Sequence, residues 1–160
     1  METARNRNLG QSQGKEYEMR TRDILLVDDC AHQLQLLSIL LESKGFDVTA
    51  ASNGVKALDT LKQNRFRMMI TDLNMPGMNG IQLAAHVKDL HRNTHIILVT
   101  TATLLLETRE AAVTAGITKI FRKPVNLNAL VESIRSSLPS HCTPSAAAFE
   151  SSPFPVVTGS

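Results

Sequence analysis

Short, nearly continuous apolar runs alternate with segments of helical periodicity between residues 22 and 138. The five apolar runs are DILLVDD, FDVTAAS, FRMMITD, HIILVTT and ITKIFRK. Strands that are buried on both faces of a parallel sheet have this composition, because helices cover the two sides of the sheet. The runs therefore predict five parallel strands.

Each run is followed by a segment whose apolar residues recur at a spacing near 3.6 residues, which predicts a helix. The apolar positions are, in chain order, Leu34, Leu37, Ile39, Leu40 and Leu41; Val55, Leu58 and Leu61; Ile81, Ala84, Ala85 and Val87; Leu105, Leu106, Ala112 and Val113; and Leu127, Leu130, Val131, Ile134 and Leu138. Gly45 and Gly116 are expected to end the first and fourth helices. Ser52 or Asn53 is expected to begin the second, and the fifth begins near Asn126. Five strand-then-helix units predict an α/β fold with a doubly wound parallel sheet.

The composition of the 160 residues argues against several classes of protein. A net charge of +2 and an aromatic content of 4% provide neither a basic stripe nor a stacking platform for nucleic acid. No apolar run approaches the ~20 residues of a membrane helix, and the first residues lack the apolar core of a secretory signal. The two cysteines, Cys30 and Cys142, do not form a disulfide framework, so we expect reduced thiols in a cytoplasm. We therefore expect a cytoplasmic chain that contacts neither nucleic acid nor a membrane.

The two ends of the chain differ from the alternating region. Residues 1–21 are polar and without periodicity, which predicts a flexible extension, and residues 139–160 are rich in Pro and Ser, which predicts a flexible tail. The predicted globular domain spans residues 22–138. Because the tail is too short for a second, DNA-binding or enzymatic domain, we expect a stand-alone domain or a fragment of a longer protein.

Polar side chains end four of the five predicted strands. They are, in chain order, Asp28 and Asp29, Asp72, Thr100 and Thr101, and Lys123. Taken alone, Asp28 or Asp29 could cap the first helix, and Asp72 could begin a turn. Thr101 could cap the fourth helix, and Lys123 could be a surface amine. Sites in open α/β sheets form at the carboxyl ends of the strands, so these groups are expected at one edge. Three acids at one edge would repel one another unless a cation bound between them. Oxygen ligands with a nearby amine and hydroxyl suit a Mg²⁺ ion that holds a phosphoryl group.

The segments ILLVDD, MMITDLNMPGMNG, ILVTTA and FRKP follow one another across nearly all of residues 22–138. In this combination the region resembles the receiver domain of two-component response regulators. The resemblance implies a flavodoxin-like sheet of order 2-1-3-4-5 with five helices. It also implies that Asp72 accepts a phosphoryl group from a sensor histidine kinase or a histidine phosphotransfer protein, and that an unknown downstream protein responds. Such a domain catalyses only its own phosphorylation and dephosphorylation and has no separate substrate.

The resemblance also implies the roles of the polar side chains at the strand ends. Asp28, Asp29, Asp72 and the backbone carbonyl of Asn74 would hold Mg²⁺, or Mn²⁺ in its place. Lys123 would pair with the phosphoryl oxygens. These residues match the motifs of the family position by position.

A threonine hydroxyl of the fourth strand is expected to contact the phosphoryl group. In the family this residue usually precedes a small residue and lies 22 positions before the lysine. Thr101 lies 22 positions before Lys123 and precedes Ala102, so it is the preferred candidate, with Thr100 as the alternative.

The loop that follows Asp72 is rich in residues that shape turns. Gly77 and Gly80 are expected to supply unusual backbone dihedrals, and Pro76 restricts Met75 to an extended shape. Such a loop can turn a backbone carbonyl toward a metal ion while it leaves the carboxylate uncovered.

Three other functions fit a sheet of this kind less well. A phosphatase with an aspartate nucleophile would need an acid two residues after Asp72, where Asn74 stands. A flavin carrier would need a phosphate loop rich in Ser, Thr and Gly after the first strand, but DDCAHQ is acidic. A receiver-like binding module without phosphorylation would lack one of the key groups, and none is missing.

Two positions depart from the family pattern. Residues 104–106 are three leucines directly after the site, where polar residues are more usual. Burial of Leu105 and Leu106 with Val113 is the preferred interpretation; a partner or homodimer surface on the fourth helix, fifth strand and fifth helix is the alternative. Ile120 stands three residues before Lys123, where most receivers carry Tyr, Phe or His.

Overall fold

A computed structural model of the chain describes residues 20–101 and 106–138, in which five strands alternate with five helices. The elements are β1 (Thr21–Val27), α1 (Ala31–Glu42), β2 (Val48–Ala51), α2 (Gly54–Gln63), β3 (Arg65–Asp72), α3 (Gly80–Leu90), β4 (His95–Thr100), α4 (Leu106–Thr114), β5 (Lys119–Arg122) and α5 (Leu127–Ser137). The first strand begins one residue before the predicted start of the globular domain. Residues 1–19 and 139–160, which make up nearly all of the two predicted flexible segments, lie outside the described residues.

The five strands form one parallel sheet in the order β2-β1-β3-β4-β5, which confirms the predicted fold class and strand order. Val27, at the end of β1, lies opposite Ala51 of β2 on one side and Thr71 of β3 on the other. After β1 the chain crosses to β2 on one side, whereas after β3 it crosses to β4 on the other side. This reversal is the topological switch point at which α/β sheets open a crevice.

Helices cover both faces of the sheet, and alternate residues of each strand belong to different cores. One core lies between the sheet and helices α2 and α3, with Ala112 of α4 also contributing; the sheet supplies side chains such as Leu25 and Met69. The other lies between the sheet and helices α1 and α5 and includes Ile24 and Met68. Strands with two buried faces need apolar residues at every position, which explains the continuous runs in the sequence. None of the helices within residues 20–101 and 106–138 is long and apolar enough to cross a membrane.

Asparagine side chains begin three of the helices. Asn53, Asn79 and Asn126 each accept a hydrogen bond from the backbone N–H three residues later, at 2.8, 2.9 and 3.1 Å. Such bonds satisfy an N–H group that has no partner within the helix. Of the two predicted residues at the start of α2, the cap is therefore Asn53, and the predicted start of α5 near Asn126 is confirmed. Helices α1 and α4 end shortly before Gly45 and Gly116, as predicted.

The fourth helix turns a different face to the sheet from the one that its sequence predicts. Leu106 and Val113 are 72% and 71% exposed, so the expectation that they are core residues is wrong. Thr108, Ala112 and Ala115 are half-buried or buried instead. Their spacing of four and three residues is that of one helical face, and Ala112 and Ala115 belong to the core on that side of the sheet. The other two leucines of the run lie outside the described residues.

Three more predicted core positions, Ile39, Val55 and Ala85, are exposed. Ile39 and Ala85 belong to runs of adjacent apolar residues. Because adjacent positions lie about 100° apart on a helix, only part of such a run can face the sheet. Val55 lies in the first turn of α2, directly after the cap.

Candidate functional site

Three carboxylates meet at the carboxyl edge of the two central strands. Asp28 and Asp29 directly follow β1, and Asp72 is the last residue of the neighbouring strand β3. Asp28 and Asp72 are only 7% and 9% exposed, whereas Asp29 is exposed. One oxygen from each carboxylate lies within 4.8 Å of the others. The structure therefore brings together the three predicted acidic ligands.

Lys123 completes this group from the edge strand. Its backbone N–H donates to the carbonyl of Thr100 at 2.9 Å, which extends the pairing of β5 with β4 toward the site. The ammonium Nζ lies 2.9 Å from Asp28 Oδ2 and 3.3 Å from Asp72 Oδ1, and the side chain is 16% exposed. A buried amine thus faces both of the buried carboxylates.

The electrostatics of the site follow from burial and from these ion pairs. Burial raises the pKa of Asp72, and the charge of Asp28 adds to this rise, while Lys123 opposes it. Burial alone would lower the pKa of Lys123, but the hydrogen bond and charge of Asp28, together with Asp72, outweigh it and raise that pKa. The lysine therefore stays charged, and the buried acids favour an additional cation.

A cavity of about 450 Å³ opens beside these groups, between α1 and the segment that follows β5. Thr101 is exposed and lines this cavity together with Asp28, Asp72 and Lys123. Thr100 is 1% exposed and does not line it. Because successive strand residues point to opposite faces of the sheet, only one of the two hydroxyls can face the site. The placement favours Thr101, the preferred candidate from the sequence.

The loop between β3 and α3 curls away from the carboxylate that it follows. Asn74 is exposed in this loop, two residues after Asp72. Gly77 has a φ of +80°, as predicted for a residue without a Cβ. Gly80 does not have a positive φ, so the predicted reason for this glycine is wrong. A Cβ there would instead overlap the backbone carbonyl of Asp72 and lie 2.9 Å from Leu98 Cδ1.

Asp28 also shapes its own loop. Its Oδ1 accepts a hydrogen bond from the backbone N–H of Cys30 at 2.8 Å, while its Oδ2 faces Lys123. The alternative interpretation of Asp28 or Asp29 as the cap of α1 is wrong, because Cys30 holds that position; the bond from Cys30 instead stabilises the turn before the helix and does not compete with the ion pair. Cys30 is exposed and begins α1 without a side-chain cap.

Comparison with known proteins decides the family. The family model for the response regulator receiver domain matches residues 24–135, which is most of the chain. This chain belongs to the response regulator receiver domain family. The predicted family is thereby confirmed.

Individual relatives agree with this assignment. The sensor histidine kinase RcsC of Salmonella typhi is 33% identical over 111 residues, which cover 69% of this chain but only 12% of the kinase. The chemotaxis protein CheY4 of Vibrio cholerae is 30% identical with a TM-score of 0.68, covering 74% of this chain and 99% of that one. The response regulator TrrA of Thermotoga maritima, solved in complex with Mg²⁺-BeF, is 26% identical with a TM-score of 0.66, covering 73% and 99%.

One residue of this receiver site was not predicted from the sequence. Gln33, in the first turn of α1, accepts a hydrogen bond from Lys123 Nζ at 2.7 Å through its side-chain Oε1. The sequence offers one indirect signal, because position 33 lies about one helical turn after Asp29 and can face the same edge. Nothing in the motifs singles out a glutamine at this position.

Proposed function

We propose that this receiver is a phosphorylation-controlled switch in which Asp72 accepts the phosphoryl group. The single observation that carries the proposal is the placement of the Asp72 carboxylate. It lies 3.3 Å from the ammonium of Lys123, beside two further acids and at the wall of an open cavity. A carboxylate is a weak nucleophile, so it needs an uncovered position and nearby positive charge.

The donor set fits Mg²⁺. Mg²⁺ prefers oxygen ligands, several carboxylates among them. Two of these acids are buried, and among the described residues Lys123 is the one amine paired with them. Asp28, Asp29 and Asp72 would hold the ion, with the backbone carbonyl of Asn74 as a further ligand. Bound there, Mg²⁺ would offset part of the negative charge of the phosphoryl oxygens.

Three side chains of the protein would then take part in the reaction. An oxygen of Asp72 forms the new bond to phosphorus while the bond from phosphorus to the donor's imidazole nitrogen breaks, and the imidazole departs with the electron pair. Lys123 pairs with a phosphoryl oxygen, and the hydroxyl of Thr101 donates to another. Attack of water on phosphorus later restores the free carboxylate and releases phosphate. In this scheme the receiver catalyses only its own modification.

Mass spectrometry of the intact protein tests the acceptor. Incubation with a small-molecule phosphodonor such as acetyl phosphate and Mg²⁺ should add one phosphoryl group to the wild type and none to Asp72→Asn. Asp59→Asn is the matched control, because Asp59 is an exposed acid paired with Lys62 on α2, away from the site. Equal labelling of the wild type and Asp72→Asn would refute the assignment.

A further inference from the structure

We propose that Gln33 is a positioning residue for phosphoryl transfer, because its side-chain oxygen holds the ammonium of Lys123 in place beside Asp72. The inference rests on the proposed function of Asp72 and adds a residue outside the acid cluster. Gln33 lies on α1 and Lys123 lies 90 positions later, after β5. The contact therefore connects two parts of the fold that both border the cavity.

Three oxygen atoms lie close to the ammonium of Lys123. It donates hydrogen bonds to Gln33 Oε1 at 2.7 Å and to Asp28 Oδ2 at 2.9 Å, and it forms an ion pair with Asp72 Oδ1 at 3.3 Å. Hydrogen bonds from a charged amine to a carboxylate are usually about 2.7–2.9 Å long. The shortest contact of Nζ is with the uncharged amide of Gln33, and the longest is with Asp72, the proposed nucleophile.

Gln33 is the only one of these three residues that does not belong to the acid cluster. Asp28 and Asp72 would change their partners when a metal ion and a phosphoryl group enter the site. The contact with Gln33 does not have to change, so it can keep Nζ in position throughout. Gln33 is fixed in turn by its helix, which packs on the sheet through Leu37 and Leu41.

An amide oxygen is well suited to this task. A fourth carboxylate at this position would add to the repulsion among the three acids. Gln33 is exposed, so an apolar side chain here would leave one N–H of the ammonium to water, which is not held in place by the fold. In that case we expect the ammonium to move toward Asp72 Oδ1, where a tighter ion pair would make the nucleophile less reactive and hold the lysine away from the incoming phosphoryl group.

The variant Gln33→Met tests this inference, because methionine has a similar length and lacks the acceptor. A small-molecule donor such as acetyl phosphate is used with Mg²⁺ in excess, so that docking of a protein partner on α1 plays no part. We expect the rate constant for labelling of Asp72 to fall about fivefold. This is less than a buried hydrogen bond to a charged group would give, because the contact with Gln33 is exposed and water can replace part of it. Gln35→Met is the matched control, since Gln35 is an exposed glutamine on α1 that does not line the cavity.

A second measurement observes the lysine directly. In ¹⁵N-labelled protein without donor, the NMR signal of the Lys123 ammonium should shift in Gln33→Met and stay unchanged in Gln35→Met. An unchanged rate, or a lower rate without a shift of the ammonium signal, would overturn the positioning role while leaving Asp72 as the acceptor. If the wild type is not labelled at Asp72, the proposed function itself fails, and this inference fails with it.

Discussion

Asp72 occupies a position that disfavours its own charge. The side chain is 9% exposed, and burial and the neighbouring Asp28 raise its pKa even though Lys123 lies 3.3 Å away. The proposed reaction nevertheless needs the ionised form as the nucleophile. Stability is thus reduced at the site where reactivity is needed, an arrangement common in functional sites.

The stability of Asp72→Asn tests this conflict. A carboxyl whose pKa is raised in the folded state favours folding when it is neutral, so its ionised form costs stability above the folded pKa. In metal-free buffer at pH 7 we therefore expect Asp72→Asn to melt at a higher temperature than the wild type. The difference should shrink as the pH falls through the folded pKa and vanish below the unfolded value of about 3.9. A lower melting temperature for Asp72→Asn at pH 7 would contradict the argument.

Asp29 is the exposed member of the acid cluster and forms no ion pair within residues 20–101 and 106–138. It is therefore free to bind a metal ion without first giving up a lysine. We expect Asp29→Ala to weaken the binding of Mg²⁺ by about tenfold or more, because one of three carboxylate ligands is lost. Thermal melts at increasing Mg²⁺ measure this, with Asp59→Asn as the control. A response to Mg²⁺ equal to that of the wild type would count against Asp29 as a ligand.

At the residue scale, the sequence allowed us to predict where the polar side chains at the strand ends lie. It did not allow us to predict the contacts that hold them in place. Asp28, Asp72 and Lys123 could be placed because residues at the ends of parallel strands share one edge. Gln33 could not, because its contact depends on the side-chain conformation of a helix residue. The role of Gly80 was missed for a similar reason, since the limit there is the nearby carbonyl of Asp72 and not a backbone dihedral.

The secondary structure elements differ in how fully their sequences predict them. The central strands β1, β3 and β4 could be predicted well, because burial on both faces requires a continuous apolar run. The helix α4 could not, because its apolar residues follow two faces and the sheet accepts the one with Ala112. The choice depends on the space left above β4 and β5, which is a property of the packed structure and not of the helix.

The short strand β5 bears on how the site could respond to phosphorylation, because its two central side chains lie on opposite faces. Ile120 is 42% exposed and lies opposite Leu98 of β4, while Phe121 is half-buried in the core beneath α1 and α5. The aromatic side chain of β5 thus lies on the other face from Ile120. Isoleucine is β-branched, so it has few side-chain conformations, and it has no aromatic ring that could move between an exposed and a buried position.

We therefore expect the signal to travel through Thr101 and the first turn of α4, with little motion at Ile120. Methyl NMR with and without beryllofluoride and Mg²⁺, a mimic of the phosphorylated state, measures both positions. The methyl resonance of Thr101 should shift strongly, whereas the rotamer of Ile120 should stay the same. The methyl groups of the buried Ile24 on β1 serve as the reference. A change at Ile120 as large as that at Thr101 would disprove this mode of signalling.

At the scale of the whole molecule, the acid site and the exposed apolar residues are linked by the same strands. Lys123 follows β5 and Thr101 follows β4, so these two neighbouring strands both contribute to the site. The helix between these strands exposes Leu106 and Val113. A change at the site therefore has a short path to a surface that a partner could bind.

The exposed side chains of α4 agree with the second interpretation of this segment, a partner or homodimer surface. Leu106 and Val113 lie seven residues apart, on the same face of the helix, and they point away from the sheet. With the core interpretation excluded, we expect this face to associate when Asp72 is phosphorylated. Light scattering at several protein concentrations should give a larger mean mass with acetyl phosphate and Mg²⁺ than without them.

The variant Val113→Glu should abolish this association and keep the melting temperature nearly unchanged, because an exposed substitution usually alters stability by less than about 0.5 kcal/mol. The neighbouring Ala112→Glu is the contrasting variant, because it places a charge in the core and should cost more than about 3 kcal/mol. Asp72→Asn should stay at the unphosphorylated mass under all conditions. A mass that remains that of a monomer at every concentration, with or without the donor, would exclude the dimer. The apolar face of α4 would then have to serve a different protein.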